Sequence, residues 1–544
     1  MCSSSPLTTL REFTMIQLMN ALTDKPDWEQ KVNDPDIAGK WKAEALDMPD
    51  FDMTEKMVDY CIAELKYKAQ LLQQYNAVSV FHGDVVKSDT AVPESYRLAL
   101  IQAVKPLEEV PPKYQDWHPR SDDKVLDLVH PSLFPLLYGR SRVLAHERTT
   151  LDDCIEKCGQ GEVVPQPEVP TTTIRYATHK LFSDKFQWLP CEVDIANGET
   201  KITSYINNLH PQEHKELYGL VEQAISYAIP LWNMTLSPYR GGHNMRIKYT
   251  VCEYDPDPES LPETEGPQQM DDEDEDTYWE RREDWYVQTR EVVQPEPEEF
   301  EPYPSELHVD LRKDFVKTGL QVIVKLANIV LTPEEPNYEG GSWHVEGQLN
   351  ERICATALYY YDSENVTANH LAFRQRVSPE DASNVSYMQN HDDWLTEVFG
   401  CENWSPSIQN AGQIETKQGR LLTFPNILQH QVQPFQLADP TKPGHRKILA
   451  LFLVDPNVKI ISTANVPCQR FDWFKAAVQT GGEDVQRARL PVEVQDQILH
   501  GVEEWPLTME EAKELRLTLM DERSIFTTSQ DAVFSSSEFA LCEH

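Results

Sequence analysis

Two histidines and a glutamate are the residues of this 544-residue chain best placed to do chemistry. His344 and Glu346 stand two apart in Gly340-Gly341-Ser342-Trp343-His344-Val345-Glu346-Gly347. His430 follows in Phe424-Pro425-Asn426-Ile427-Leu428-Gln429-His430. On an extended backbone alternate side chains share a face, so the imidazole of His344 and the carboxylate of Glu346 point the same way. Two imidazoles and one carboxylate on one side of a metal suit ferrous iron and leave three positions open. Oxygen activation needs that vacancy: two positions for a bidentate cosubstrate and one for dioxygen. A fourth residue, Arg446, opens the apolar run Arg446-Lys447-Ile448-Leu449-Ala450-Leu451-Phe452-Leu453-Val454. A guanidinium in such a place is costly unless it meets an anion, and its planar fork matches a carboxylate. A dicarboxylic acid chelating iron at one end and meeting Arg446 at the other would satisfy both demands.

These residues need elements to position them. Residues 1–160 read as a largely helical region, with helices expected over Met53–Tyr75, Glu94–Val104 and Asp122–Leu137. Residues 161–254 read as mixed α/β, with a helix over Glu213–Tyr227 and a strand over Met245–Tyr254. Residues 303–480 are strand-rich, with strands expected over Gly319–Leu331, Arg352–Tyr361, Arg420–Phe424 and Lys447–Val454. Many strands without regular intervening helices point to antiparallel sheets in a sandwich or jelly roll. Residues 481–523 read as C-terminal helices, with Met509–Met520 following a Thr508 cap. Residues 524–544 read as a flexible tail.

Residues 255–302 are different. From Glu253 to Glu301 there are 20 acidic residues against three arginines, a net charge of −17 out of −40 for the whole chain. Self-repulsion and prolines predict an exposed, mobile acidic insertion. Its working alternative is a docking surface for a basic protein partner, with Tyr278, Trp279, Trp285 and Tyr286 as anchors. The overall acidity excludes broad nucleic-acid binding. No stretch approaches the roughly 20 apolar residues of a membrane-spanning helix. The N-terminus lacks the basic and apolar regions of a secretory signal, and the 10 cysteines show no disulfide framework. Reduced thiols in cytoplasm or nucleus are the expectation. Cys154 and Cys158 read as ordinary thiols, since no second Cys/His pair stands at zinc spacing.

The segments Gly419-Arg420-Leu421-Leu422-Thr423-Phe424-Pro425, His430-Gln431-Val432-Gln433-Pro434-Phe435 and Gly444-His445-Arg446 resemble the C-terminal half of the 2-oxoglutarate/Fe(II)-dependent dioxygenases, in particular the prolyl-hydroxylase-like branch. That resemblance covers about 320–456. Taken whole, the chain is similar to a large uncharacterised fungal family known only as a domain of unknown function, through Lys124–Val143, His308–Leu331 and Trp343–Asp362. The dioxygenase resemblance implies an α+β fold with a double-stranded β-helix (jelly-roll) core, a largely helical N-terminal region and a helical C-terminal extension. It implies His344, Glu346 and His430 as catalytic iron ligands, and Arg446 as partner of the distal carboxylate of 2-oxoglutarate. The activity implied is hydroxylation of a small-molecule or peptide substrate with release of succinate and CO2. Of the run Tyr359-Tyr360-Tyr361, Tyr360 is assigned to 2-oxoglutarate, because alternation forbids all three from facing the site.

Two departures stand out. The second ligand is Glu where most members have Asp, and the interval from His430 to Arg446 is long, so Lys447 or His445 remain alternatives on the same strand. His308-Val309-Asp310 is a second His-x-acid pair and a rival to His344-Val345-Glu346. Arg246 and Lys248 are candidates for binding substrate, against the simpler reading of a solvated strand face. The competing functional class is a non-catalytic jelly-roll scaffold that works through its acidic insertion.

Overall fold

The computed structural model describes residues 4–49, 52–174, 177–304, 306–388, 391–480 and 505–541. It is a mixed α/β structure with antiparallel sheets and no closed barrel. Twelve strands make its two main sheets: β1 (Val78–Val80), β2 (Val85–Ser88), β3 (Val125–Val129), β4 (Cys191–Asp194), β5 (Lys201–Ile202), β6 (Leu320–Leu331), β7 (Ile353–Glu364), β8 (His370–Arg376), β9 (Ile408–Glu415), β10 (Leu421–Pro425), β11 (Gln429–Val432) and β12 (Gly444–Val454). The large sheet has the order β1-β2-β10-β7-β12-β6-β4-β5, with β3 also pairing β6. The small sheet has the order β9-β8-β11.

Strand alternation gives the large sheet two different faces. Val322, Val324, Leu326, Ala357, Tyr359, Leu449 and Leu451 point to one side, into a core shared with helices α3 (Glu94–Glu108) and α4 (Lys215–Leu236). Ile323, Leu358, Tyr360, Leu422, Phe424, Ala450 and Phe452 point to the other, where they meet Leu371 and Phe373 of the small sheet. The central strands β6, β7 and β12 are therefore apolar on both faces, which explains their unbroken runs of Val, Ile and Leu. Arg446 belongs to the second face, and His430, paired with Phe373 on the small sheet, looks onto it.

Several elements follow local signals. Helix α2 (Glu55–Tyr75) starts at Thr54, whose hydroxyl accepts from the Met57 N–H, and ends at Asn76 in the left-handed region. Helix α4 continues nine residues beyond the expected Tyr227, through Pro230, because its buried face runs on through Leu231, Trp232 and Met234. Other expectations are corrected. Asp122–Leu137 is not a helix: Val125–Val129 forms β3 against β6, with Leu126 and Val129 in the core. Met245–Tyr254 forms no ladder; it makes two isolated bridges, Val251 to Ser386 and Tyr254 to Val292. The Arg246 and Ile247 N–H groups are taken by the Glu12 carboxylate instead of a neighbouring strand.

The acidic segment is also more ordered than its composition implies. Glu275–Thr289 forms helix α5, capped by Asp274, with Glu275 and Asp276 complementing the positive end of the helix dipole. Arg281 bonds Glu273, and Arg282 bonds the hydroxyls of Tyr278 and Tyr286. Beyond the helix, Val292 enters a core with Trp394, and Phe300 packs on Tyr60 and Tyr67 of α2. At the C-terminus the expectations over 481–504 lie outside the described residues. The Thr508 cap opens helix α6 (Met509–Phe534), which passes through the supposed tail because Phe526 and Phe534 are buried.

Arg246 is neither a solvated nor a substrate-facing residue. Its guanidinium lies buried between Glu64 (2.7 and 2.8 Å) and Glu12 (3.2 Å), and Lys68 reaches Glu64 at 3.0 Å. Lys248, two residues on, is exposed. Burial alone would raise the Glu64 carboxyl, but Arg246 and Lys68 outweigh it and hold it down to about 2. The network ties the 244–247 segment to α2 and to helix α1 (Leu10–Leu22). Arg246→Met, which takes the guanidinium from buried Glu12 and leaves buried Glu64 with Lys68 alone, is expected to lower stability by about 3–5 kcal/mol in chemical denaturation.

Candidate metal centre

The segment carrying His344 has no regular strand of its own. It is held along the edge of β11, where His344 N–H donates to the His430 carbonyl (3.1 Å) and His430 N–H donates back to His344 (3.0 Å). Gly341 N–H donates to the Val432 carbonyl at 2.9 Å, and the Gln431 side-chain amide donates to the Gly341 carbonyl at 2.8 Å. Gly340 has φ +90°, and a Cβ there would lie 2.8 Å from the Val432 oxygen, so this approach requires glycine. The reciprocal pairing sets the two imidazoles side by side, with ring centroids 4.4 Å apart.

Glu346 completes the group. Its Oε1 lies 3.3 Å from His430 Nε2 and 3.9 Å from His344 Nε2. The ligand atoms of His344, Glu346 and His430 all lie within 4.8 Å of one another. Asn426, given no role in the sequence reading, fixes the glutamate. Its Oδ1 accepts from Glu346 N–H at 2.8 Å, and its Nδ2 donates to the carbonyls of Glu346 (2.9 Å) and Ile353 (3.2 Å).

The protonation states suit metal binding. Burial and the neighbouring His430 lower the His344 imidazole to about 4, so it is neutral at pH 7. Its Nδ1 lies 2.7 Å from the Ser342 carbonyl, which places the proton on Nδ1 and leaves the Nε2 lone pair facing Glu346. Burial by itself would raise Glu346. The His430 hydrogen bond, with the neighbouring imidazoles and Lys325, outweighs it and holds the carboxyl down to about 2. Phe424 and Phe373 pack around the His430 ring at 4.7 and 6.4 Å, walling that side of the centre from water.

A second group, His118, Asp127 and His130, is equally compact but has the wrong chemistry. Ser132 N–H donates to His130 Nδ1 at 3.1 Å, so the neutral ring carries its proton on Nε2 and offers no lone pair there. Burial, with Lys325 and His118 next in weight, holds His130 well below the ordinary histidine range. One oxygen of Asp127, Oδ2, is engaged by His118 (2.7 Å) and Arg516 (3.5 Å). His308 joins neither group: it stacks over Gly241, where a Cβ would lie 2.0 Å from the ring, and Asp310 caps a short helix.

Arg446 lies on the same face of the large sheet as Tyr360, Ala450 and Phe452. It is 2% exposed. Among the described residues its Nη1 meets only neutral oxygens, Asn369 Oδ1 at 2.8 Å and Thr416 Oγ1 at 3.4 Å, and its Nε has no partner. The rings of Phe435 and Tyr360 lie 5.1 and 5.5 Å from the guanidinium carbon. Arg246, Arg420 and Arg516 are comparably buried, yet each meets carboxylates. The strand alternatives are committed elsewhere: Lys447 pairs with Glu108 and Asp362, and His445 with Asp362. Tyr359 and Tyr361 face the helices, leaving Tyr360 as the tyrosine of that run on the site face.

A family model described as "Protein of unknown function (DUF4246)" matches residues 55–477, and its N-terminal companion, "Domain of unknown function DUF4246, N-terminal", matches residues 1–44. The chain therefore belongs to the DUF4246 family. No curated protein matches it. Among solved structures, a bsmA homologue from Methylobium petroleophilum PM1 aligns at 14% identity over 31% of this chain and 67% of that chain, TM-score 0.17. The Fe(II)/(alpha)ketoglutarate-dependent dioxygenase TqaL aligns at 12% identity over 68% and 94%, TM-score 0.22. EvdO2 from Micromonospora carbonacea var. aurantiaca, complexed with 2-oxoglutarate, aligns at 11% identity over 24% and 52%, TM-score 0.13. Scores this low carry no weight beside the geometry of the site.

The two histidine groups make opposite predictions. His344→Ala or His430→Ala is expected to abolish stoichiometric Fe(II) uptake in metal analysis after dialysis, whereas His118→Ala leaves it intact. Asn426→Ala, which frees the Glu346 backbone, is expected to weaken Fe(II) affinity by roughly 10–100-fold in a competitive chelator titration.

Proposed function

We propose that this DUF4246 protein is a 2-oxoglutarate- and Fe(II)-dependent oxygenase on a jelly-roll core, hydroxylating its substrate with release of succinate and CO2. The observation that carries this reading is Arg446: a buried guanidinium without a carboxylate partner among the described residues, on the sheet face that meets the His344–Glu346–His430 group. A buried cation left in that state costs several kcal/mol, and a dianionic ligand shared between metal and arginine offsets the cost. Bound iron would supply the oxidative decarboxylation of 2-oxoglutarate and the attack on a C–H bond.

The chain's own residues orient and exclude. His344, Glu346 and His430 would hold the iron, and the Ser342 carbonyl keeps the His344 proton on Nδ1, away from the ligand nitrogen. Arg446 takes the distal carboxylate of 2-oxoglutarate, with Asn369 and Thr416 fixing the guanidinium and Tyr360 and Phe435 keeping water from it. Burial pushes the Tyr360 phenol up to about 12, so it stays protonated and able to donate to a carboxylate. A second reading, a protein-docking role for the acidic segment, has one observation in its favour: Trp279 of α5 is 59% exposed.

Purified protein with Fe(II), ascorbate, oxygen and 2-oxoglutarate is expected to release succinate even without added substrate; none above the metal-free control would sink the oxygenase reading. Arg446→Met should raise the half-saturating 2-oxoglutarate concentration at least ten-fold while sparing Fe(II) uptake. In the ligand-free protein the same substitution should leave stability unchanged or improve it, read by denaturant midpoint, because it removes an uncompensated buried charge.

A further inference from the structure

Lys325 interrupts the apolar strand β6 and faces the site. It stands opposite Ala450 of β12, on the same face as Ile323 and Phe452. Across the strands, Leu422, Leu358, Ala450 and Lys325 form one row. The β3–β6 pairing, Val129 with Leu326, brings His130 to the end of that row. Lys325 is half-buried, and its charge acts on His344, Glu346 and His130 together. Among the described residues no carboxylate forms an ion pair with it, although this chain carries 89 acidic residues against 49 basic ones. Its histidine neighbour is neutral, and the nearby cations are committed: Arg516 to Asp116 and Arg523 to Glu351.

Charge balance gives this lysine a consequence, and the step rests on the oxygenase reading. Fe(II) with doubly charged 2-oxoglutarate is neutral, and Glu346 with Arg446 is neutral. The ammonium of Lys325 is then the charge left over on that face. A compact ammonium on an apolar sheet face gains most from one anionic oxygen group delivered to it. We infer that the substrate is a small anion whose carboxylate or phosphate pairs with Lys325, so that this residue selects the substrate and orients the carbon to be hydroxylated.

The experiment has one arm that needs no turnover. Radiolabelled inorganic phosphate and acetate are dialysed against metal-free Arg446→Met protein, so that the buried arginine cannot answer, with and without a change at position 325. Lys325→Gln is expected to weaken binding of one or both anions at least ten-fold, Lys325→Arg to retain it, and the preferred anion tells phosphate from carboxylate. Near-ultraviolet circular dichroism checks that the variants keep their fold. In the second arm, iron-loaded wild-type protein is offered pairs of compounds, each carboxylate beside its amide and each phosphate ester beside the free alcohol. Stimulation of succinate release is expected from the anionic member of a pair, with the half-saturating concentration raised at least ten-fold in Lys325→Gln. Equal anion binding by Lys325→Gln, or equal stimulation by neutral partners, would overturn the inference. So would a raised 2-oxoglutarate constant in Lys325→Gln, which would assign the lysine to the cosubstrate. Lys325-dependent anion binding without any succinate release would uphold the anion site and defeat the oxygenase reading alone.

Discussion

Two backbone hydrogen bonds between His344 and His430 organise the centre. The residues around His344 make no strand, so nothing local fixes their direction; the edge of β11 does it for them. Once the pair is formed, the two rings must lie side by side and Glu346, two residues on, must return to them. Asn426 then holds the glutamate by its own backbone, and Gly340 permits the close approach that starts the pairing. The geometry is thus assembled from a loop and a sheet edge, with the large sheet behind it supplying rigidity through three long central strands.

Compensation of buried charge is the second constraint, and its exceptions are informative. Glu12, Glu64, Lys68 and Arg246 neutralise one another inside the N-terminal helices, and Arg420 is closed off by Asp24 and Asp89. These networks are complete, which makes them structural. Arg446 and Lys325 break the pattern, and they do so on the same sheet face. Natural structures leave polar groups unsatisfied mainly where something else satisfies them, so incompleteness, more than burial, marks Arg446 and Lys325 as the cations open to a ligand.

Much of this was legible in the residues. β6, β7, β10 and β12 announce themselves by apolar runs and Thr508 marks its helix by capping, whereas β8 and β9 carry no such run and Thr54, expected inside its helix, is the cap. The His344-x-Glu346 spacing is visible in the sequence, but His308-x-Asp310 has it too and only caps a helix; the pairing with His430 is what sets the first apart. What was not legible depends on partners distant in sequence. Asp122–Leu137 looks helical until β6 claims Val125–Val129 as a neighbour, and 245–254 looks like a strand until Glu12 takes the Arg246 and Ile247 donors at its start. The acidic segment shows its charge but conceals its anchors, which lie on α2 and near Trp394. Lys325 could have been found by the reasoning applied to Arg446, since a lysine inside Gly319-Leu320-Gln321-Val322-Ile323-Val324-Lys325-Leu326 is as conspicuous as an arginine at the head of an apolar strand.

Helix α6 lies beyond residue 477, where the family match ends, yet it runs along the edge of the centre. Glu522 meets Gln348, two residues past Glu346; Arg523 meets Glu351 and lies over Trp188; Asp531 meets Arg374, which bonds the neighbour of His430. Its outer attachments, Arg120–Asp521 and Arg140–Glu511, are partly exposed ion pairs, whose attraction fades as ions screen them. Leu519, Phe526 and Phe534 hold the helix by apolar contact, which moderate salt does not weaken. Buffer ionic strength is therefore a structural variable for this protein: it governs how tightly the outer side of one helix is fastened beside the centre, while leaving its inner side seated.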